Sequence, residues 1–139
     1  MTPRLRLLAD DITGALDTAA EMTGLCGPVR VAWDGAGAGQ GSLAIDAGTR
    51  EATRDDAFDR IRALAPMLPG TEIAFAKLDS LLRGQVAAQI GACFGLGAWT
   101  HCVVAPAFPA QGRVTRHGRQ FARQPDGGWA PVGRDDLPG

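Results

Sequence analysis

Two adjacent carboxylates, Asp10 and Asp11, stand near the start of the chain, directly after a short apolar run. Helix capping accounts for one of them, because an aspartate before Thr13 accepts hydrogen bonds from free backbone N–H groups. A second carboxylate beside the first is repelled by it and needs its own partner, such as a sugar hydroxyl, a metal or Lys77. The pair suits hydroxyl recognition or general-base chemistry better than phosphate binding. Capping and function stay equal alternatives for Asp11, and function is favoured for Asp10.

The densest polar group runs from Lys77 to Gly84 and reads Lys-Leu-Asp-Ser-Leu-Leu-Arg-Gly. Lys77 is the only lysine among 14 basic residues, and it directly follows an apolar run. The structural alternative is a cap by Asp79 and Ser80 on a following helix, with both cations in solvent. An arginine in the first helical turn opposes the helix dipole, so Arg83 is expected to meet an anion. Gly84 inside that helix is unfavourable unless another group approaches its backbone.

A third polar segment follows the last apolar run, where Pro106 and Pro109 precede Gly112 and Arg113. The prolines fix a rigid loop, and a stiff turn is enough to explain them. Arg113 is expected to supply a second cation to the same cleft as Arg83.

Apolar runs and amphipathic stretches alternate in the order β-α-β-β-α-β-α-β. The apolar runs predict strands at 4–9, 29–33, 42–46, 72–76 and 100–105. Helical spacing predicts helices at 13–24, 53–66 and 80–94. The alternation predicts a three-layer α/β/α fold, Rossmann-like, with a mainly parallel sheet of about five strands. Residues 111–139 show no clear period and are expected to be irregular, with a hairpin over 120–132 as the alternative.

Polar segments follow four of the predicted strands, at residues 10–14, 46–50, 77–84 and 106–113. Ligands of open parallel sheets bind outside the carboxyl ends of the strands. We therefore expect these segments to meet around one pocket.

Composition excludes several classes of protein. The formal net charge of the 139 residues is -1, which argues against a nucleic-acid binder or a protein of the membrane surface. The three cysteines stand far apart, so neither a disulfide framework nor a metal site is indicated. No apolar run approaches a membrane span, and acidic residues follow the start too soon for a signal peptide. A cytoplasmic protein is expected.

Taken together, four blocks resemble the four-carbon acid sugar kinase family, specifically its N-terminal domain. The blocks occur in the family's order and spacing over residues 4–119 and begin with Ala9-Asp10-Asp11-Ile12-Thr13-Gly14. The others are Ile45-Asp46-Ala47-Gly48-Thr49-Arg50, Lys77-Leu78-Asp79-Ser80-Leu81-Leu82-Arg83-Gly84 and Ala105-Pro106-Ala107-Phe108-Pro109-Ala110-Gln111-Gly112-Arg113. One departure is Leu81, which stands where the family usually has threonine.

The resemblance implies an acid-sugar-binding domain at 1–119 and an irregular tail or linker at 120–139. It implies substrate-binding residues Asp10, Asp11, Lys77, Asp79, Ser80, Arg83, Gly84 and Arg113, with Asp11 as the candidate that orients or deprotonates the attacked hydroxyl. The ligand would be threonate, erythronate or a 3-oxo-tetronate.

The resemblance also implies ATP and Mg²⁺ as cofactors, held mainly by a C-terminal domain or separate subunit. The sequence contains no G-x-x-x-x-G-K-[ST] phosphate loop. The chain is therefore expected to bind substrate without turning it over, and a homo-oligomer is open. The alternatives are a stand-alone acid-sugar binding or regulatory module and a degenerate fragment without activity.

Overall fold

The computed structural model describes residues 4–33 and 40–132. Its four-stranded parallel sheet is built from β1 (Leu5–Ala9), β2 (Val29–Ala32), β3 (Ser42–Asp46) and β4 (Ile73–Lys77). The strand order is β2-β3-β1-β4. Ala9 pairs with Asp46 on one side and with Lys77 on the other, so the ends of three strands lie side by side.

Helices cover both faces of this sheet. They are α1 (Ile12–Cys26), α2 (Arg54–Leu64) and α3 (Val86–Phe94). Leu7 packs with α1 on one face, and Leu8 packs with α2 and α3 on the other. Strand β1 is a continuous apolar run because both of its faces are covered. The predicted three-layer α/β class is confirmed. In the described part of the chain, no helix has the length and apolarity to cross a membrane.

The predicted fifth strand at 100–105 is wrong. Within the described residues this segment pairs with no strand, and Val103 is 88% exposed. Its apolar, β-branched composition favours a strand, but a parallel strand also needs a ladder partner and cover on its faces. Strand β4 is therefore an edge of the four-stranded sheet.

The third helix begins at Val86, six residues later than predicted. Leu82 (φ 55°) and Gly84 (φ 82°) adopt left-handed backbone conformations, which a right-handed helix cannot include. Arg83 and Gly84 thus lie in the β4–α3 loop, here meaning residues 78–85, and not in a helix. The first helix likewise continues past the predicted end at Gly24 and is capped by Gly27 (φ 72°).

The C-terminal part is not irregular but forms an antiparallel sheet of three strands. These are β5 (Arg113–Arg116), β6 (Arg119–Arg123) and β7 (Trp129–Pro131), in that order. His117 and Gly118 join the first two strands, both at positive φ, as a tight two-residue hairpin turn requires. The predicted division between residues 119 and 120 falls inside β6, and residues 133–139 of the predicted tail lie outside the described part.

Candidate functional site

Asp10 and Asp11 follow β1 and have different roles in the structure. Asp11 is the N-cap of α1, and its Oδ1 accepts a hydrogen bond of 2.9 Å from the Gly14 amide. Asp10 is buried, and its backbone carbonyl accepts the amides of Thr49 and Arg50 at 2.9 and 3.0 Å. These bonds join the loop after β1 to the loop after β3.

Arg50 occupies the space between the carboxylates. Its Nε and Nη2 donate to the two oxygens of Asp10 at 2.5 and 2.9 Å, and Nη2 lies 3.0 Å from Asp11 Oδ1. A third carboxylate, Asp79, lies 3.8 Å from Nη1. The hydrogen bond to Asp10, together with the nearby negative charges, raises the pKa of Arg50 above its ordinary value. The tandem acids are thus held together by one arginine.

Sequence reasoning did not select Arg50 as a site residue. Its position in the sequence does point to the site, because the segment 46–50 follows a predicted strand and is one of the four polar blocks. What the sequence does not show is that the partner of Arg50 lies 40 residues earlier.

A second ion pair orders the β4–α3 loop. Arg83 Nε and Nη2 each lie 2.8 Å from an oxygen of Asp79, and Asp79 Oδ2 also accepts the amides of Leu81 and Arg83 at 3.2 Å. Burial alone would raise the pKa of Asp79. The hydrogen bonds from Arg83 and the charges of Arg83 and Arg50 outweigh it and lower the pKa to about 2. The Arg83 side chain is 63% exposed, so most of it faces solvent.

Lys77 and the tandem acids lie at the same edge of the sheet. Lys77 pairs with Ala9, the residue before Asp10, and its Nζ donates to the Leu78 carbonyl at 2.7 Å. A Cβ built on Gly14 would stand 2.7 Å from Asp11 Oδ1 and 3.4 Å from Lys77 Cγ. The absence of a side chain at position 14 therefore lets these two groups approach the start of α1.

Gly84 has a similar role on the other side of Asp10. A Cβ at this position would lie 2.7 Å from Asp10 Oδ2, and φ is +82°. The group expected to approach the Gly84 backbone is thus the Asp10 carboxylate.

Asp10, Asp11, Arg50, Asp79 and Arg83 form a charged cluster through their ion pairs. Two cavities lie beside this cluster. The polar one, of about 480 Å³, is lined by Arg50, Glu51, Ala52, Leu81, Arg83, Gly84 and Gln85. The other, of about 620 Å³, is mainly apolar and runs along the edge of β4, with Lys77 and Ser80 in its wall. A hydroxylated anion requires charged donors and acceptors. The polar cavity, although smaller, therefore suits such a ligand better.

Arg113 is the candidate that the structure does not join to the cluster. It begins β5, and its Nη1 donates to Gln111 Oε1 at 2.7 Å. Among the described residues, no ion pair connects it to Asp10, Asp11 or Asp79, and it lines neither cavity.

The charged cluster does not fit a metal ion. In residues 4–33 and 40–132, no three His, Cys, Asp or Glu side chains are grouped so as to hold one. Asp10, Asp11 and Asp79 are instead neutralised by guanidinium groups. Arg50 is taken up by these carboxylates, whereas the largely exposed Arg83 can still meet an anion or a hydroxyl group.

The doubly covered parallel sheet, with charged loops at its carboxyl edge, places the protein among the α/β domains that bind small ligands at strand ends. Residues 5–136 match the family described as the sugar-binding N-terminal domain. The chain belongs to this family, and the resemblance drawn from the four sequence blocks is confirmed.

Two relatives are D-threonate kinases. The one from Bordetella bronchiseptica is 32% identical over 133 residues, which cover 84% of this chain and 31% of that protein. The one from Cupriavidus necator is 34% identical over 121 residues, covering 83% of this chain and 29% of that protein. The chain thus spans about a third of the length of these relatives.

A solved structure from Bordetella bronchiseptica has the same fold. It is a domain of unknown function, determined with bound citrate as a domain-swapped dimer. It matches 88% of this chain and 34% of its own chain, with a TM-score of 0.70 and 29% identity.

Proposed function

We propose that this chain is the substrate-binding part of an ATP-dependent kinase acting on a four-carbon acid sugar, with D-threonate as the first ligand to test. The proposal rests on the Arg83 side chain, which is held by an ion pair and is still exposed. Asp79 fixes this guanidinium in place, yet the side chain stays 63% exposed in the wall of the polar cavity. A fixed and accessible guanidinium is suited to a carboxylate. The citrate in the solved relative, itself a hydroxy acid, supports the same class of ligand.

Asp11 orients the attacked hydroxyl in this proposal. Both of its described contacts, from Gly14 and from Arg50, use Oδ1. Oδ2 is therefore the oxygen assigned to the substrate hydroxyl, although Asp11 lies behind the residues that line the two cavities. Asp10 is engaged by Arg50 through both oxygens, so its part is to hold Arg50 and the loop after β3 in position.

The other substrate-binding residues have supporting parts. Lys77 and Ser80 line the neighbouring apolar cavity at the end of β4, so they contact the ligand only where it extends beyond the polar cavity. Gly84 leaves room for the Asp10 carboxylate. Arg113 has no ion pair with the other proposed residues among those that the structure describes, so its part in substrate binding stays a prediction.

ATP and Mg²⁺ are proposed to bind mainly outside this chain, in a C-terminal domain or a separate subunit. The support is that the D-threonate kinase relatives are about three times as long as the part that this chain matches. The chain alone is proposed to bind without phosphorylating. The division at residue 119, a homo-oligomer and a cytoplasmic location stay predictions.

The test is calorimetric titration of the chain with D-threonate, L-threonate and D-erythronate. Saturable binding of one acid is expected, and Arg83→Gln should weaken it by about tenfold or more, as loss of a charge-assisted pair implies. Arg62→Gln is the matched control, because Arg62 is equally exposed (66%) and pairs with Asp59. A folded chain that binds none of the acids at millimolar concentration would overturn the proposal and favour the degenerate-fragment alternative.

A second experiment distinguishes the substrate-binding part of a kinase from a stand-alone binding module. The liganded chain is mixed with Mg-ATP, alone and together with the separately produced C-terminal part of a D-threonate kinase relative. Product only in the mixture supports the kinase assignment. Binding that never leads to phosphorylation favours the stand-alone module.

A further inference from the structure

Gln120 is a buried amide that joins three separate parts of the chain. It lies in β6 with 5% of its surface exposed. Its Nε2 donates to the carbonyl oxygens of Ser80 at 2.9 Å and Pro106 at 3.1 Å, and its Oε1 accepts from Thr115 Oγ1 at 2.6 Å. An amide NH₂ group has two hydrogens, so both are used. Gln120 thus connects the C-terminal sheet with the β4–α3 loop, at Ser80, and with the segment before β5, at Pro106.

The loop that Gln120 holds carries the proposed ligand-binding side chains Ser80 and Arg83. It includes Leu82 at φ 55°, a conformation that a residue with a branched side chain keeps only where its surroundings impose it. Asp79 fixes the loop from within through the Leu81 and Arg83 amides. Gln120 fixes it from the opposite sheet through the carbonyl of Ser80.

We infer that Gln120 is a positioning residue for the proposed acid-sugar site. By holding the Ser80 and Pro106 carbonyls together, it sets the loop conformation in which Arg83 meets the ligand, although Gln120 itself lines neither cavity. This inference rests on the proposed function. It extends the site to the C-terminal sheet, which none of the predicted site residues except Arg113 occupies.

Gln120→Glu is the sharpest variant. It keeps the shape and the acceptor for Thr115, but it replaces both donors with an oxygen facing two carbonyls. Gln124→Glu is the matched control, because Gln124 is exposed and its Nε2 donates only to the Ala122 carbonyl. Ile61→Val, at a fully buried position of α2, controls for a general loss of stability.

Titration with the acid that binds the unaltered chain gives the first readout. Gln120→Glu is expected to weaken binding about tenfold, whereas Gln124→Glu and Ile61→Val should change the affinity less than twofold. If Gln120→Glu does not fold, Gln120→Met removes the same donors without adding an acceptor and takes its place. Affinity equal to the unaltered chain in the folded variant overturns the inference.

Amide hydrogen exchange without ligand gives a readout that does not depend on the proposed function. Faster exchange of the Leu81, Leu82 and Arg83 amides in the Gln120 variant, but not in Gln124→Glu, shows that Gln120 orders the β4–α3 loop whether or not an acid binds. Unchanged exchange at these amides overturns it. Failure of the proposed function is seen separately, as absence of binding by the unaltered chain.

Discussion

Asp10 and Arg50 stand 40 residues apart in the sequence and form a two-point ion pair at the edge of the parallel sheet. Their side chains are only 4% and 14% exposed. The pair closes the gap between the loops after β1 and β3, and the same arginine also reaches Asp11 and Asp79. One largely buried guanidinium, on the loop after β3, thus orders three carboxylates from two other loops.

Removing Arg50 should destabilise the fold strongly. Arg50→Met leaves the buried Asp10 carboxylate without its ionic partner, and a loss of about 3–5 kcal/mol in the free energy of unfolding is expected. Urea denaturation measures it. Arg4→Met, which breaks the exposed pair with Glu72, should change stability by about 0.5 kcal/mol or less. The double variant with Asp10→Asn should lose less than the sum of the single losses, and strict additivity would contradict the pairing.

Stability should depend on pH through Asp79. Its pKa is about 2 when folded, against an ordinary value of 3.8, so folding favours the ionised form. The contribution of roughly 2 kcal/mol is present above about pH 4 and is lost as the pH falls toward 2. Urea denaturation between pH 5 and 2 should show a smaller loss in Asp79→Asn than in the unaltered chain. Asp59→Asn, at an exposed ion pair, should leave the pH dependence unchanged.

Alanine at Gly84 should be more costly than alanine at another glycine of positive φ. At Gly84 the new Cβ meets Asp10 Oδ2 at 2.7 Å, in addition to the strain of φ +82°. Gly48 (φ +62°) is the matched control, because a Cβ there meets no atom within 4 Å. We expect Gly48→Ala to lose about 1 kcal/mol and Gly84→Ala about 2 kcal/mol or more. Equal losses in denaturation would mean that Asp10 moves aside freely.

The sequence was sufficient to predict which polar segments follow the ends of β1, β3 and β4, but not how their side chains pair. Alternating apolar runs predict which residues follow each strand, and parallel strands bring Asp10 and Lys77 to one edge. Whether Arg50 pairs with Asp10 depends on the conformations of two loops, and no local sequence pattern specifies these conformations. The role of Gln120 is equally hidden, since a lone glutamine in a strand carries no signal of a contact 40 residues away.

The errors in the predicted fold have a similar cause. Residues 100–105 have the composition of a strand, but composition does not specify whether a partner edge and cover are available. The apolar spacing predicts a start of α3 that is six residues too early, because this spacing continues into the loop. There the Asp79 carboxylate accepts hydrogen bonds from the Leu81 and Arg83 amides, and this local bonding competes with helix formation.

The cysteines test the exposure of the segment at 100–105. Cys102 is exposed, whereas Cys93 is buried in α3, where burial raises the pKa of its thiol from 9.0 to about 11. Because the thiolate is the reactive form, a thiol reagent at pH 8 should modify the exposed Cys102 much faster than Cys93, which is both covered and held in its thiol form. Mass spectrometry of the labelled peptides measures both rates, and Cys102→Ser should remove the fast phase. Slow labelling of Cys102 would contradict the exposed position of this segment, because it would mean that other residues cover the thiol.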